Sequence, residues 1–101
     1  MNLTIEIEKF ETKGYTILNF TCGIIEPSEL CSYKPLDPIQ EGISTLGVIV
    51  KGSMPQWLIS YYTHILHPTR FIAIYDPLID AAVVIATHSK EQKIGNIITL
   101  K

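Results

Sequence analysis

The chain has 101 residues, 47% of them hydrophobic, and a formal net charge of -2. This length suits one domain with one hydrophobic core, so we expect residues 1–101 to form a single domain. A weakly acidic chain lacks the basic surface that holds a long phosphate backbone, which argues against DNA as a partner. A small anionic ligand remains possible, because clustered backbone N–H groups can hold a phosphate without a basic surface.

Membrane insertion is also excluded by the sequence pattern. No apolar run approaches the roughly 20 residues needed to span a bilayer, and the first six residues lack the basic start and apolar stretch of a signal peptide. We therefore expect a cytoplasmic protein with no membrane contact.

The first half of the chain predicts strands. Residues 3–10 alternate apolar and charged side chains, as a half-buried strand does, and residues 15–21 alternate again after Gly14. These two runs predict a hairpin. Residues 26–30 are typical of a short helical turn, and a loop rich in proline then leads to a continuous apolar strand over 46–50.

The second half predicts one helix between strands. Ser53 followed by Gln56 is a capping-box pattern, so we expect the helix to start there and to stop before Pro68. Its apolar residues recur at helical spacing: Trp57, Leu58, Tyr61, Tyr62, Ile65 and Leu66. Residues 71–75 predict a buried strand, 81–86 its antiparallel return, and 97–100 a last edge strand.

The order of strand, helix and strand from 46 to 75 predicts a βαβ unit with parallel strands. We therefore expect an α/β fold in which a mixed sheet has mainly parallel strands at its centre. A ferredoxin-like α+β fold is the alternative.

The carboxyl ends of the parallel strands are the first candidate site. Gly52, Ser53, the start of the helix and Asp76 meet at this edge, where open α/β sheets bind ligands. Each residue also has a structural interpretation. Asp76 precedes a proline, as turn-opening aspartates do, and most Gly-Ser helix starts bind nothing.

Three histidines belong to the opposite end of the sheet. His64 and His67 close the predicted helix, and His88 closes the return strand. His64 flanks the apolar stripe and suits a packing role, while a cationic His67 would be favourable at a helix C-terminus and His88 could simply be solvated. Five strand residues separate Asp76 from the histidine end by about 17 Å, too far for direct cooperation within one chain.

Four segments together point to a known family. They are Gly52-Ser53-Met54-Pro55-Gln56-Trp57-Leu58, His64 to Thr69, Ala73-Ile74-Tyr75-Asp76-Pro77 and Ala82 to Ser89. In this order they resemble the small stand-alone CRISPR-associated ring nucleases of type III systems, a family first described as manganese-dependent deadenylation exoribonucleases. The resemblance extends over about residues 46–97.

This resemblance implies a fold, an activity and an assembly. It implies a Rossmann-like domain that cuts the second messenger cyclic tetra-adenylate with Mn²⁺ into linear oligoadenylate and so ends type III CRISPR signalling. It also implies a homodimer whose ligand-promoted stacking into tetramers brings catalytic residues of two dimers together. Asp76 then matches the catalytic, metal-associated aspartate and His67 the catalytic histidine, and Gly52, Ser53, His64 and His88 are candidate ligand contacts.

Two positions depart from the family pattern. Ser53 and Leu78 stand where the family tends to have arginines. Because charge-assisted contacts to phosphate are strong, ligand binding could instead rely on Lys51 or Arg70. The alternatives to a ring nuclease are a non-catalytic binder or sponge for cyclic oligoadenylates, a 3′-end RNA deadenylase acting on short oligoadenylate RNA, and a structural assembly subunit.

Overall fold

A single six-stranded sheet is the framework of the protein. The computed structural model describes residues 1–100. Within them the sheet has the order β1-β2-β3-β4-β5-β6. The strands are β1 (Leu3–Phe10), β2 (Tyr15–Cys22), β3 (Gly47–Ser53), β4 (Phe71–Asp76), β5 (Ala81–Thr87) and β6 (Ile97–Ile98). The α-helix is α1 (Gln56–Ile65), and 3₁₀ turns occupy Glu11–Lys13 and Pro27–Cys31.

The centre of the sheet is parallel and its flanks are antiparallel. β2 pairs with β3 and β3 with β4 in parallel, whereas β1, β5 and β6 join by antiparallel pairing. This confirms the predicted α/β class, the mixed sheet, the N-terminal hairpin and the parallel βαβ unit. Two adjoining parallel pairs, with one α-helix in the described residues, do not match the β-α-β-β-α-β order of the ferredoxin-like alternative.

One face of the sheet is covered by α1 and by the long loop between β2 and β3. Right-handed crossovers between strands added in the same direction fall on the same face, which explains why both connections lie together. The buried side chains of this face are Leu18, Phe20, Ile43, Val48, Val50, Leu58, Tyr62, Leu66 and Ile72. Val48, Ile49 and Val50 are all buried, as predicted for a strand covered on both faces.

The opposite face has a smaller apolar cluster and no α-helix over it within residues 1–100. Its buried members are Tyr15, Ile17, Ile49, Phe71, Ala73, Ala82 and Val84. Phe10, Tyr75, Ile98 and Leu100 pack against them at the margins.

Tyr62 joins the helix to the long loop. Its side chain is fully buried, and its hydroxyl hydrogen-bonds with the hydroxyl of Tyr33 and accepts the N–H of Leu36 at 3.2 Å. Burial raises the pKa of the Tyr62 phenol far above its ordinary value, and the hydrogen bond with Tyr33 adds to this rise. The neutral phenol is therefore the form that holds the loop on the helix.

The predicted start of the helix was wrong. Ser53 is the last residue of β3, paired with Thr21 of β2, and α1 begins at Gln56 with Pro55 at its N-cap and no side-chain cap hydrogen bond. The physical reason is the parallel pairing, which keeps Ser53 extended, together with Pro55, which disfavours helical geometry in the residue before it. The helix also ends at Ile65, so His67 lies beyond it in the following turn.

The remaining differences are at strand ends. β3 continues three residues past the predicted end at residue 50, whereas β6 is limited to Ile97–Ile98 instead of the predicted 97–100. In residues 1–100 no helix has the length and apolar character to cross a bilayer.

Candidate functional site

A cavity of about 510 Å³ lies at the carboxyl ends of the parallel strands. Its volume falls in the range typical of small-molecule sites. It is lined by Asn19, Lys51, Gly52, Ser53, Met54, Ile59, Tyr75 and Pro77. The lining combines one cationic, one aromatic and several polar groups with an apolar wall, a composition that suits a ligand with both charged and flat parts.

Parallel pairing of β2 with β3 builds one wall of the cavity. Asn19 and Lys51 are partners in the register, so their side chains emerge beside each other on the same face of the sheet. The next residue, Gly52, has φ of +132°. A Cβ at this position would lie 2.2 Å from the carbonyl oxygen of Phe20, so only glycine allows the strands to approach here.

Lys51 and Tyr75 form a cation–π pair at the cavity. The Lys51 Nζ lies 4.9 Å from the centre of the Tyr75 ring. The Tyr75 hydroxyl donates a 2.6 Å hydrogen bond to Asp80 Oδ1, which raises the pKa of the Tyr75 phenol. Asp80 adopts a positive φ of 48° in the turn between β4 and β5. The turn thus fixes the ring against which the ammonium rests.

Asp76 ends β4 between two residues that line the cavity. Its Oδ1 accepts the backbone N–H of Leu78 at 2.9 Å, and its carbonyl accepts the N–H of Ile79 at 3.3 Å. The predicted turn-opening role is therefore confirmed. A carboxylate has further acceptor positions, so this bond does not use all of the hydrogen-bonding capacity of Asp76.

His67 and His88 lie together at the other end of the sheet. Their rings meet edge to face with centres 4.9 Å apart. His88 Nε2 lies 3.2 Å from the carbonyl oxygen of His67, and because a carbonyl can only accept, Nε2 carries the proton in this bond. The backbone N–H of His88 also donates to the carbonyl of Arg70 at 2.9 Å. Two hydrogen bonds therefore fix His88 beside His67.

The histidine pair has no cavity large enough for a ligand. The hollow beneath the two rings measures about 10 Å³, room for a single water at most. Both histidines are exposed. They consequently present their rings to whatever approaches this surface from outside.

In the structure, the predicted site residues form two groups, and His64 belongs to neither. Gly52 and Ser53 line the cavity, Asp76 lies between the lining residues Tyr75 and Pro77 without lining it, and His67 pairs with His88. The length of β4 separates the groups by about 17 Å. His64 is exposed in the last turn of α1 and lines neither hollow.

Two lining residues, Asn19 and Tyr75, were missed from the sequence as site residues. Asn19 is a half-buried polar residue between the buried Leu18 and Phe20, which is a signal of a functional position. The signal identifies a site residue only when the β2–β3 pairing is known, because that pairing brings Asn19 beside Lys51.

The residues of one chain do not fit a resident metal ion. Among residues 1–100, no three His, Cys, Asp or Glu side chains converge as a metal site. Asp76 is the carboxylate next to the lining residues Tyr75 and Pro77, and a single carboxylate is a weak ligand set for Mn²⁺.

Comparison with known proteins places the chain in a family. Residues 20–99 match the family model described as CRISPR-associated protein (Cas_csx3). The chain belongs to this CRISPR-associated family. The matched range includes the histidine pair and all of the residues that line the cavity except Asn19, which immediately precedes the range.

A relative from Aquifex aeolicus (strain VF5), itself named only as an uncharacterized protein, is similar over most of this chain. It is 32% identical over 72 residues, which are 71% of this chain and 65% of the relative. The match therefore spans less than two thirds of the relative's length.

Proposed function

We propose that this CRISPR-associated protein is a ring nuclease that cleaves a 3′–5′ phosphodiester linkage of cyclic tetra-adenylate. One observation carries the proposal: the ligand-sized cavity and the paired histidines are at opposite ends of the same sheet. A ligand held at the carboxyl ends can be reached by histidines of another molecule, as the family resemblance implies. The linear oligoadenylate product would no longer act as the ring signal of type III CRISPR systems.

The carboxyl end has the binding role in this proposal. The hydroxyl and backbone of Ser53 and the close-packed backbone at Gly52 face the ligand, and Asp76 contacts it. Backbone N–H groups and hydroxyls are suitable partners for phosphate oxygens. The apolar wall and the Tyr75 ring offer surfaces on which an adenine base can stack.

The histidine end has the proton-transfer role. The exposed imidazole of His67 moves a proton to or from the attacking or leaving oxygen of the linkage. His88 donates its Nε2–H to the His67 carbonyl and limits how the neighbouring ring can turn. The hollow at the exposed pair is too small for a ligand. In this mechanism the ligand is therefore bound in the cavity of a second molecule, which brings it to the histidines.

Assembly is therefore part of the proposed mechanism. We propose a homodimer that binds the ring and a ligand-promoted tetramer in which dimers stack. Each ring would then lie between the cavity of one dimer and the histidines of the next. The assembly places Asp76 and His67 of different molecules on one ligand.

Manganese dependence follows from the resemblance rather than from the donor set of one chain. Asp76 alone does not make a resident site, and we assign no step of the reaction to the metal. A divalent ion that arrives with the phosphates would have Asp76 as its carboxylate contact.

The test is a chromatographic assay of cyclic tri-, tetra- and hexa-adenylate with Mn²⁺ and with EDTA. We expect the tetra-adenylate ring to be converted to linear product in Mn²⁺, with the other rings cut more slowly. If no ring is cut but the tetra-adenylate ring is bound, the protein is a binder or sponge. Absence of both cleavage and binding would reject the proposed function.

The sponge has one observation in its favour. Leu78, at a position where the family tends to have arginine, is 93% exposed and offers no charge to a phosphate. A missing arginine at this position is consistent with a protein that binds the cyclic oligoadenylate but cleaves it poorly.

A further inference from the structure

We propose that Lys51 is the phosphate-binding cation of the carboxyl-end cavity and that the Tyr75 ring positions its ammonium group. This inference rests on the proposed function and deepens it, because it names the residue of this chain that recognises the ligand's charge. The ligand chemistry is a phosphodiester of a short oligonucleotide.

The location of the cations in the fold identifies Lys51. The chain has eight lysines and arginines. Among the described residues that line the cavity, Lys51 is the one with a positive charge. Arg70, the other candidate, precedes β4 at the histidine end, and its Nη2 lies 3.9 Å from Glu91 Oε1. Arg70 is therefore at the wrong end of the sheet to contact a ligand in the cavity of its own chain.

The ring contact orients Lys51 without using its hydrogen-bonding capacity. An ammonium has three N–H donors, and its attraction to a ring face is an electrostatic contact with the π system. Tyr75 is itself held by its hydrogen bond to Asp80, so the platform is fixed before a ligand arrives. An ordered lysine loses less side-chain entropy on binding than a freely rotating one.

The neighbours of Lys51 extend this recognition to the rest of a nucleotide. Asn19, its register partner, donates one amide N–H to Glu8 Oε1 at 3.5 Å, and its second N–H and its oxygen can still read the edge of a base. Ser53 lies two residues further along the same strand and adds a hydroxyl on the same face. A phosphate at Lys51 thus has hydrogen-bonding groups on two sides.

The test compares Lys51 with a matched lysine elsewhere. Lys13 also lies over an aromatic ring, with its Nζ 5.6 Å from the centre of Phe10, but at the opposite end of β2. Lys51→Met and Lys13→Met therefore remove the same charge and the same type of contact. Binding of cyclic tetra-adenylate is measured by titration calorimetry in EDTA, and chromatography checks that the ring stays intact.

We expect Lys51→Met to weaken binding about 10- to 100-fold, as loss of one charge-assisted hydrogen bond does. Lys51→Arg should retain most of the affinity, and Lys13→Met should bind like the wild type. The slope of log K against log salt should fall in magnitude by about 0.7 for Lys51→Met, because one phosphate contact is lost. Tyr75→Phe keeps the ring face but loses the hydroxyl that holds it to Asp80, so it should lose less affinity than Tyr75→Leu, which removes the ring.

Each other result has a definite meaning. Wild-type affinity in Lys51→Met overturns the inference, and so does a weakened Lys51→Met whose salt slope is unchanged, since that would show a loss of shape rather than charge. Equal weakening in Lys51→Arg and Lys51→Met also overturns it. If the wild-type protein itself does not bind the ring, the proposed function fails and the inference fails with it.

Discussion

The two ends of the sheet differ in how their residues are held and in what they can enclose. At the carboxyl ends, backbone pairing and a glycine of positive φ create a cavity of about 510 Å³. At the histidine end, two exposed rings cover a hollow of about 10 Å³. The carboxyl end has room for a ligand and the hollow at the histidine end does not. In the proposed mechanism a single chain therefore contains both parts of the site, but its own cavity and histidines are too far apart to act on one ligand.

The largest expected effect comes from removing one part at a time. His67→Ala and Asp76→Asn should each lower cleavage of cyclic tetra-adenylate about 10²- to 10⁴-fold, because His67 transfers the proton in the proposed reaction and Asp76 is the proposed carboxylate contact of a divalent ion that arrives with the phosphates. Asp76→Asn keeps an oxygen that can accept the Leu78 N–H, so the turn should survive. Melting temperatures within about 2 °C of the wild type would confirm that chemistry and not folding is lost.

If both variants cut the ring at the wild-type rate, the assignment of chemistry to the two ends is wrong. His64→Ala tests the third histidine. His64 is exposed and lines neither hollow, so we expect a smaller loss of activity than in His67→Ala.

The next effect is on stability at the carboxyl end. Gly52→Ala should lower the free energy of unfolding by at least about 2 kcal/mol, because its φ is unfavourable for alanine and its Cβ would meet the Phe20 carbonyl. Gly14→Ala is the matched control. Gly14 also has a positive φ, +80°, but nothing lies within 4 Å of an added Cβ, so the loss should be about 1 kcal/mol. Urea unfolding measures both, and equal losses would show that the close approach at Gly52 is unimportant.

At the histidine end we expect a smaller effect on rate. His88→Phe keeps an aromatic ring beside His67 but cannot donate to its carbonyl, so the rate of cleavage should fall about 10-fold through poorer orientation. His88→Gln can still donate an N–H and should recover part of the rate. A rate in His88→Phe equal to that of the wild type would show that the hydrogen bond has no role in orienting His67.

The smallest expected effect is a pH dependence of the free energy of unfolding, and it arises from Tyr62, which lies in neither the cavity nor the histidine pair. The pKa of Tyr62 is raised in the folded state, so above about pH 10 the unfolded chain loses this proton first and binds fewer protons than the folded chain. The free energy of unfolding therefore falls as the pH rises, by at most about 1.4 kcal/mol per pH unit for one proton.

Tyr62→Phe should reduce this alkaline slope, and it should leave binding of cyclic tetra-adenylate at pH 7 unchanged because Tyr62 lines neither hollow. Urea unfolding between pH 9 and pH 11 measures the slope. An unchanged slope in Tyr62→Phe would assign the alkaline loss to other groups.

The sequence was sufficient for the framework of the fold. The alternating run at 3–10, the continuous apolar strand before the helix and the helical spacing from Trp57 to Leu66 each follow directly from which side chains face the core. They predicted the βαβ unit and, through it, the opposite locations of Asp76 and His67. The structure confirms these elements.

The parts that could not be predicted depend on contacts between distant segments. A loop of 24 residues separates β2 from β3, so nothing local indicates that Asn19 pairs with Lys51. The same pairing extends β3 through Ser53 and displaces the predicted helix start. The hydrogen bond from His88 to the His67 carbonyl joins residues 21 positions apart and follows from the tertiary fold alone.

The most direct test of the separation between the two ends is activity in a mixture of two inactive variants. His67→Ala retains an intact cavity, and Asp76→Asn retains an intact histidine pair. The rate of cyclic tetra-adenylate cleavage in Mn²⁺ is measured for each variant alone and for their equimolar mixture at the same total concentration. Because an intact Asp76 of one molecule faces an intact His67 of another in only a minority of randomly assembled sites, we expect the mixture to recover part of the wild-type rate and to exceed both variants clearly. Two stable, inactive variants that show no recovery on mixing would contradict a site shared between molecules.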